Sequence, residues 1–243
     1  DPDLGTATDD LDGCDTTLGL GYTYNGVAVD GVYGPAVPAV GFDFLQGPII
    51  PSPGDTANVS GLRVPGYKNL KMTSYIKYSN DASNLGNPWT GQECYNYMKS
   101  YDRNGVKITD PSGYPADFMF PGDPTKAASI TNWLDTSPSD RRFMMSSGPF
   151  NMAPGDTQEI VAGNLIALGA DYLGSVTALK QADAVVQAGY DLNFKLATTP
   201  PVPEVRANPP AASLAVNVIA FAAAIPEDAM TRPNEEAKVR SKA

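Results

Sequence analysis

Proline and glycine punctuate this chain so densely that a helical bundle is a poor fit. The 243 residues include 22 prolines and 23 glycines, and each proline fixes φ and removes a backbone donor. Between these breaks lie short runs in which apolar and polar residues alternate, the pattern of half-buried strands. Charged residues make up only 18% of the chain. The expected fold is mainly β, a β-sandwich of jelly-roll or immunoglobulin-like type with two appended helices.

Strands are expected at Thr16–Gly26, which ends in an Asn-Gly turn signal, and at Val37–Gln46, with Val40, Phe42 and Phe44 on one face and Asp43 on the other. The cluster Pro48, Pro51 and Pro53 predicts an irregular loop. Lys68–Asn80 alternates as one strand, and further strands are expected at Arg142–Ser146 and Gln158–Leu168, the latter buried on both faces. Thr90 with Glu93 three residues later forms a capping-box signature for a helix running to about Tyr101. Ser175 is read as the cap of a second helix with Val176, Leu179, Ala182, Val186 and Tyr190 on one stripe.

The domain reading is a β-sandwich over 1–197, whose beginning Asp1 falls inside a domain, then a Pro-rich linker over 198–210. A tail or partial second module follows over 211–243. The apolar run Ala211–Ile225 is shorter than the roughly 20 residues a membrane-spanning helix needs. No membrane insertion is therefore expected.

The chain contains no histidine. That removes Ser-His-Asp and Cys-His catalysis and the usual His-ligated catalytic zinc. Any chemistry must run on carboxylates, Tyr, Lys, Cys or a hard metal ion. The formal net charge is −10, which repels phosphate backbones and makes nucleic acid an unsuitable partner. Cys14 and Cys94 fit no zinc spacing; they either bridge or remain thiols.

Against this background the opening DPDLGTATDDLDGCD stands out, because six of its fifteen residues are Asp. Calcium takes six to eight oxygen ligands from carboxylates and carbonyls of flexible loops. Asp1, Asp3, Asp9, Asp10, Asp12 and Asp15 are therefore candidate metal ligands. Asp10-x-Asp12-Gly13-x-Asp15 resembles part of an extracellular calcium loop, without the full EF-hand spacing. A solvated acidic loop is the alternative.

Other candidates are weighed in the same way. Glu93 and Asp10 are candidate catalytic carboxylates for a glycosidase, which needs two such groups beside sugar-stacking aromatics; a capping role is the competing reading for Glu93. Tyr22, Tyr24, Tyr75 and Tyr78 are candidates for a flat ligand-binding face. Asp140-Arg141-Arg142 reads either as an anion clamp or as a salt bridge anchoring a loop.

Five stretches carry a resemblance: DLGTATDDLDGCDTTLGLGYTYNG, PAVGFDFLQGPIIP, YKNLKMTSYIKY, DRRFMMSSGPFNMAPGDTQEIV and SVTALKQADA. In these the chain resembles a family of large modular secreted or surface proteins from bacteria that use type IX secretion, over about residues 1–205. The resemblance implies β-sandwich modules, a fibronectin-type-III-like module after the Pro-rich linker, and no assigned activity. AASLAVNVIAFAAAIPEDAM lacks the fibronectin-like pattern.

The expected function is a secreted, calcium-stabilised structural or binding module of a larger bacterial surface protein. Its partners would be neighbouring modules or extracellular polysaccharide. The alternative is a calcium-dependent hydrolase, a phosphoesterase or glycosidase, working through the Asp cluster; a metal-free two-carboxylate glycosidase is a third reading.

Overall fold

The computed structural model describes residue 6, residues 8–194 and the backbone of 215–224. In chain order the elements are β1 (Asp10–Asp15), β2 (Leu20–Asn25), β3 (Ala39–Gln46), β4 (Ile49–Val59), β5 (Leu62–Asn69) and β6 (Ser74–Ser79). Then come α1 (Gly91–Met98), β7 (Arg141–Ser146), β8 (Thr157–Ala167), α2 (Tyr172–Asp191) and β9 (Ala215–Ala224). The strands pair antiparallel as one five-stranded sheet, β1-β2-β3-β8-β9, and two two-stranded ribbons, β4-β5 and β6-β7. The protein is thus mainly β with two helices.

Turn chemistry sets the registers. Asp15 closes the β1–β2 connection: its Oδ1 accepts from the N–H groups of Thr17 and Leu18 at 3.1 and 3.2 Å. Gly19 completes this turn at φ 90°, where a side chain would be strained. The β4–β5 hairpin turns on Ser60-Gly61, at φ 48° and 83°, the pair of left-handed residues that a two-residue hairpin loop requires. This hairpin occupies the stretch expected to be irregular. Its prolines are tolerated because β4 pairs on one side only, and the register shifts between Pro51 and Thr56.

The large sheet is covered on both faces. Leu20, Tyr22, Tyr24, Ala39, Leu45, Val161 and Leu165 pack against Val176, Leu179, Ala182, Val186 and Tyr190 of α2, the stripe read from the sequence. On the opposite face Cys14 joins Met72, Tyr75, Ile76, Tyr97, Met119 and Phe120, with Phe143 and Met145 of β7 packed alongside. Burial of this apolar area at about 25 cal/mol per Å² is the main favourable term.

As expected, Asp43 stands on the face of β3 opposite Phe42; it lies under α2 and is 1% exposed, while Phe42 is 41% exposed, because the strand carries core on both sides. Four local expectations are corrected. β8 instead alternates between buried and half-buried positions. The strand expected over 68–80 is broken at 70–73 into β5 and β6, which pair with different partners. The second helix is capped by Asp171, whose side chain accepts from Gly174 N at 2.7 Å; Ser175 lies inside the helix and donates to the Asp171 carbonyl. The first helix stops at Met98. Cys14 and Cys94 are free thiols. The linker over 198–210 lies outside the described residues, while Ala215–Ala224 pairs along β8 as the fifth strand of the large sheet.

One buried ion pair ties the irregular segment before β7 to the rest. Arg141 Nε lies 2.7 Å from Asp135 Oδ2, with the side chains 4% and 3% exposed. Arg141 also donates to Asp135 Oδ1 at 2.9 Å and to Ser79 Oγ at 3.2 Å. Asp135 Oδ2 in turn accepts from Asp12 N at 3.3 Å. Removing one partner of such a pair leaves a bare buried charge. Arg141→Ala or Asp135→Ala is therefore expected to lower the unfolding free energy by about 3–5 kcal/mol. The pair Asp135→Leu/Arg141→Met is expected to cost less than either single change. Urea unfolding of the three variants checks this ordering.

Candidate functional site

The acidic opening is not a loop from Asp10 onward. It forms β1, and the period-two geometry of a strand sends neighbouring side chains to opposite faces. Asp12 faces the β6–β7 side, where Thr23 Oγ1 donates to its Oδ1 at 2.7 Å; burial raises its pKa to about 7. Asp10 stands on the same face, bridged through its backbone to Ser139. Asp15 points the other way, to Lys180 Nζ at 3.0 Å. Although burial works against it, Lys180 and the turn N–H groups hold the Asp15 carboxyl below the usual range. Asp9 precedes β1, and Asp1 and Asp3 lie outside the described residues. Among the described residues no three His, Cys, Asp or Glu side chains converge as a metal cage.

Glu93 is engaged at the start of α1. Its Oε2 accepts from Trp89 N at 2.6 Å and Thr90 N at 3.1 Å, while Thr90 Oγ1 accepts from Glu93 N, the reciprocal capping box. Arg142 lies 3.3 Å from Asp140 and Arg141 is taken up by Asp135, so this segment anchors loops.

The tyrosines expected to form a flat binding face are mostly core. Tyr22, Tyr24 and Tyr75 are buried between the sheet and its two covering layers. Only Tyr78 reaches a surface recess, a pocket of about 380 Å³ shared with Phe42, Phe143 and Arg142. Among the exposed aromatics, which include Tyr67, Tyr114 and Phe194, two lie at α1. Trp89 is 77% and Tyr95 53% exposed. From Tyr95 a ladder runs across the surface: Lys99 Nζ sits 5.2 Å from the Tyr95 ring centre and 5.7 Å from that of Tyr101. Lys107 Nζ lies 5.0 Å from the Tyr101 ring and 2.5 Å from Asp117. Ammonium groups over ring faces hold such rings in place.

A second arrangement has no counterpart among the expected sites. Under the β1–β2 turn, Asp43 of β3 and Asp183 of α2 are each 1% exposed. Burial pushes Asp43 up to about 7, against weaker pulls from Phe44 N–H and Lys71. Burial, then the neighbouring Asp43 and Asp15, push Asp183 up to about 8. Asp183 borders a cleft of about 520 Å³ between the turn at Thr17–Gly19, the end of β3, Lys71 and the last turns of α2. A signal existed in the sequence: Asp183 shares the 176–179–183–186–190 spacing of the apolar stripe. A carboxylate at a core position is unusual enough to mark.

No family model, curated protein or solved structure matches this chain.

Both carboxyls of the pair bind protons more tightly folded than unfolded. Their contribution is intact below the ordinary carboxylate pKa, about 4, and is lost as pH rises through about 8. In metal-free buffer the melting temperature is expected to fall by about 5 °C between about pH 5.5 and pH 8.5. Asp183→Asn should flatten that slope, and differential scanning calorimetry at the two pH values checks it.

Proposed function

We propose that the chain is a secreted structural or binding module of a larger bacterial surface protein, and that its binding face is the aromatic–lysine ladder around α1. The observation that carries this reading is the exposure of Tyr95 beside Lys99, Tyr101 and Lys107, with Trp89 exposed at the start of the same helix. Trp and Tyr offer large rigid faces with polar tips, the combination enriched where proteins meet partners. The face of a sugar ring stacks on such a ring, and the ammonium groups suit carboxylate or sulfate substituents. The chain as a whole is strongly acidic at −10, so Lys99, set between two aromatic rings, is a local exception, while Lys107 is paired with Asp117. An acidic extracellular polysaccharide is the partner this chemistry fits. The resemblance to type IX-secreted modules supports the same compartment. No helix among the described residues is long and apolar enough to cross a membrane.

The finer architectural reading goes with it. The β6–β7 ribbon, packed through Tyr75, Phe143 and Met145 on the large sheet, is the reduced second layer of a β-sandwich. Such a framework sets a rigid platform under a surface carried by α1 and the loops around it.

Binding is tested by affinity electrophoresis against acidic and neutral polysaccharides. The module is expected to be retarded by acidic ones, and Trp89→Ala or Tyr95→Ala to weaken retardation about tenfold each, the size of a loss of about 1.4 kcal/mol. Because both side chains are exposed, their melting temperatures should match that of the unsubstituted protein. Equal mobility in all gels would remove the proposed binding face.

A further inference from the structure

The sequence pointed to calcium at the acidic opening; the structure offers better-placed carboxylates elsewhere. We propose that Asp43 and Asp183 hold a divalent hard cation of the calcium class beneath the β1–β2 turn, at the edge of the cleft bordered by Lys71 and α2. This inference stands apart from the binding face proposed above and does not depend on it.

The first support is unmet bonding capacity. Asp43 Oδ1, Asp43 Oδ2 and Asp183 Oδ1 are all buried and close no well-formed hydrogen bond, the Phe44 N–H exerting only a weak pull on Asp43. Buried polar atoms left in that state are costly, and native structures hold few of them. The second support is charge. The groups facing the pair are Asp15 from β1, Lys180 from α2 and Lys71 from the segment after β5. Lys180 is engaged by Asp15 at 3.0 Å, and Lys71 is exposed. Two carboxylates therefore remain without a counter-charge in contact.

A shared proton would relieve part of this. One proton between two carboxyls supplies one donor and one acceptor, so it satisfies two oxygens. Three oxygens are open here. A divalent cation neutralises both charges and can take all three as ligands. Its remaining positions would fall to water and carbonyl oxygens, as is usual when only one or two carboxylates bind a hard cation. The adjoining cleft of about 520 Å³ has room for that water. Gly19 fits the same picture, because a Cβ there would meet Asp43 Oδ1 at 2.9 Å. The turn lies directly on the carboxylate, and only a glycine lets it do so.

The test uses the full chain, stripped with chelator, at about pH 7.5. Calcium chloride at millimolar concentration is expected to raise the melting temperature by about 5 °C. That response should vanish in Asp43→Asn/Asp183→Asn and persist in Asp9→Asn. A response lost in Asp9→Asn and kept in the double variant would place the ion at the acidic opening and overturn the proposal. No response in the unsubstituted protein would leave a shared proton and overturn it too. A second measurement avoids variants that fail to fold. Calorimetric titration of calcium in two buffers of different ionisation enthalpy reads the protons released on binding. Because both carboxyls are almost fully buried, and burial disfavours the charged form, release of protons on binding at about pH 7 supports the assignment. Binding without proton release would sink it, because ordinary carboxylates are already ionised there.

Discussion

The Asp135–Arg141 pair is the constraint on which the rest of the structure leans. Residues 102–140 carry no regular element longer than an isolated bridge, and structureless segments of that length are uncommon inside compact domains. Here polar side chains replace the missing ladders. Asp102 accepts from Asn104 N and Val106 N, both at 2.9 Å. Asn132 closes a further turn, accepting from Asp123 N at 2.7 Å and donating to Ala127 O at 3.0 Å. Those contacts are local. The ion pair joins longer-range backbone bonds, among them Cys14 N to Phe120 O at 3.2 Å and Met119 N to Tyr75 O at 3.0 Å, in fastening the segment, since Asp135 touches the Asp12 backbone while Arg141 reaches Ser79. Because the pair is almost dry, its geometry must be right or its desolvation goes unrecovered.

With the loops fastened, the large sheet can carry core on both faces, and that double coverage explains where the acidic residues end up. A strand buried on both sides has no solvent face for a carboxylate to choose. Asp12 therefore takes a hydroxyl from Thr23, Asp15 a lysine from α2, and Asp43 neither. The same constraint buries Tyr22, Tyr24 and Tyr75, while Trp89 and Tyr95 at α1 meet solvent.

Much of the framework was legible in local pattern. The strands at β2, β3, β7 and β8 fall within two residues of their expected spans at most boundaries, because alternation and turn residues agree there. The Thr90–Glu93 capping box and the apolar stripe of α2 were also plain. What escaped was decided by tertiary context. β1 looked like an ion-binding loop because Asp is a poor strand former, yet pairing along all of β2 holds it extended. The β4–β5 hairpin was hidden by prolines that an edge position tolerates. Alternation separates Asp43 from Phe42 and Phe44 but gives two faces without saying which is covered. Of the sites, the Glu93 cap was readable from spacing; the Asp43–Asp183 pair was not, since it joins a strand and a helix 140 positions apart.

That pair concentrates an imbalance. Three carboxylates, Asp15, Asp43 and Asp183, interact electrostatically around α2, and the ammonium group of Lys180 is in contact with Asp15. Asp15 takes the lysine because it is the least buried of the three and because the turn N–H groups already favour its ionised form. The other two are then left with each other in a poorly hydrated site, where like charges repel strongly. Keeping two acids there makes physical sense only if a proton or a cation joins them, and the third open oxygen favours the cation.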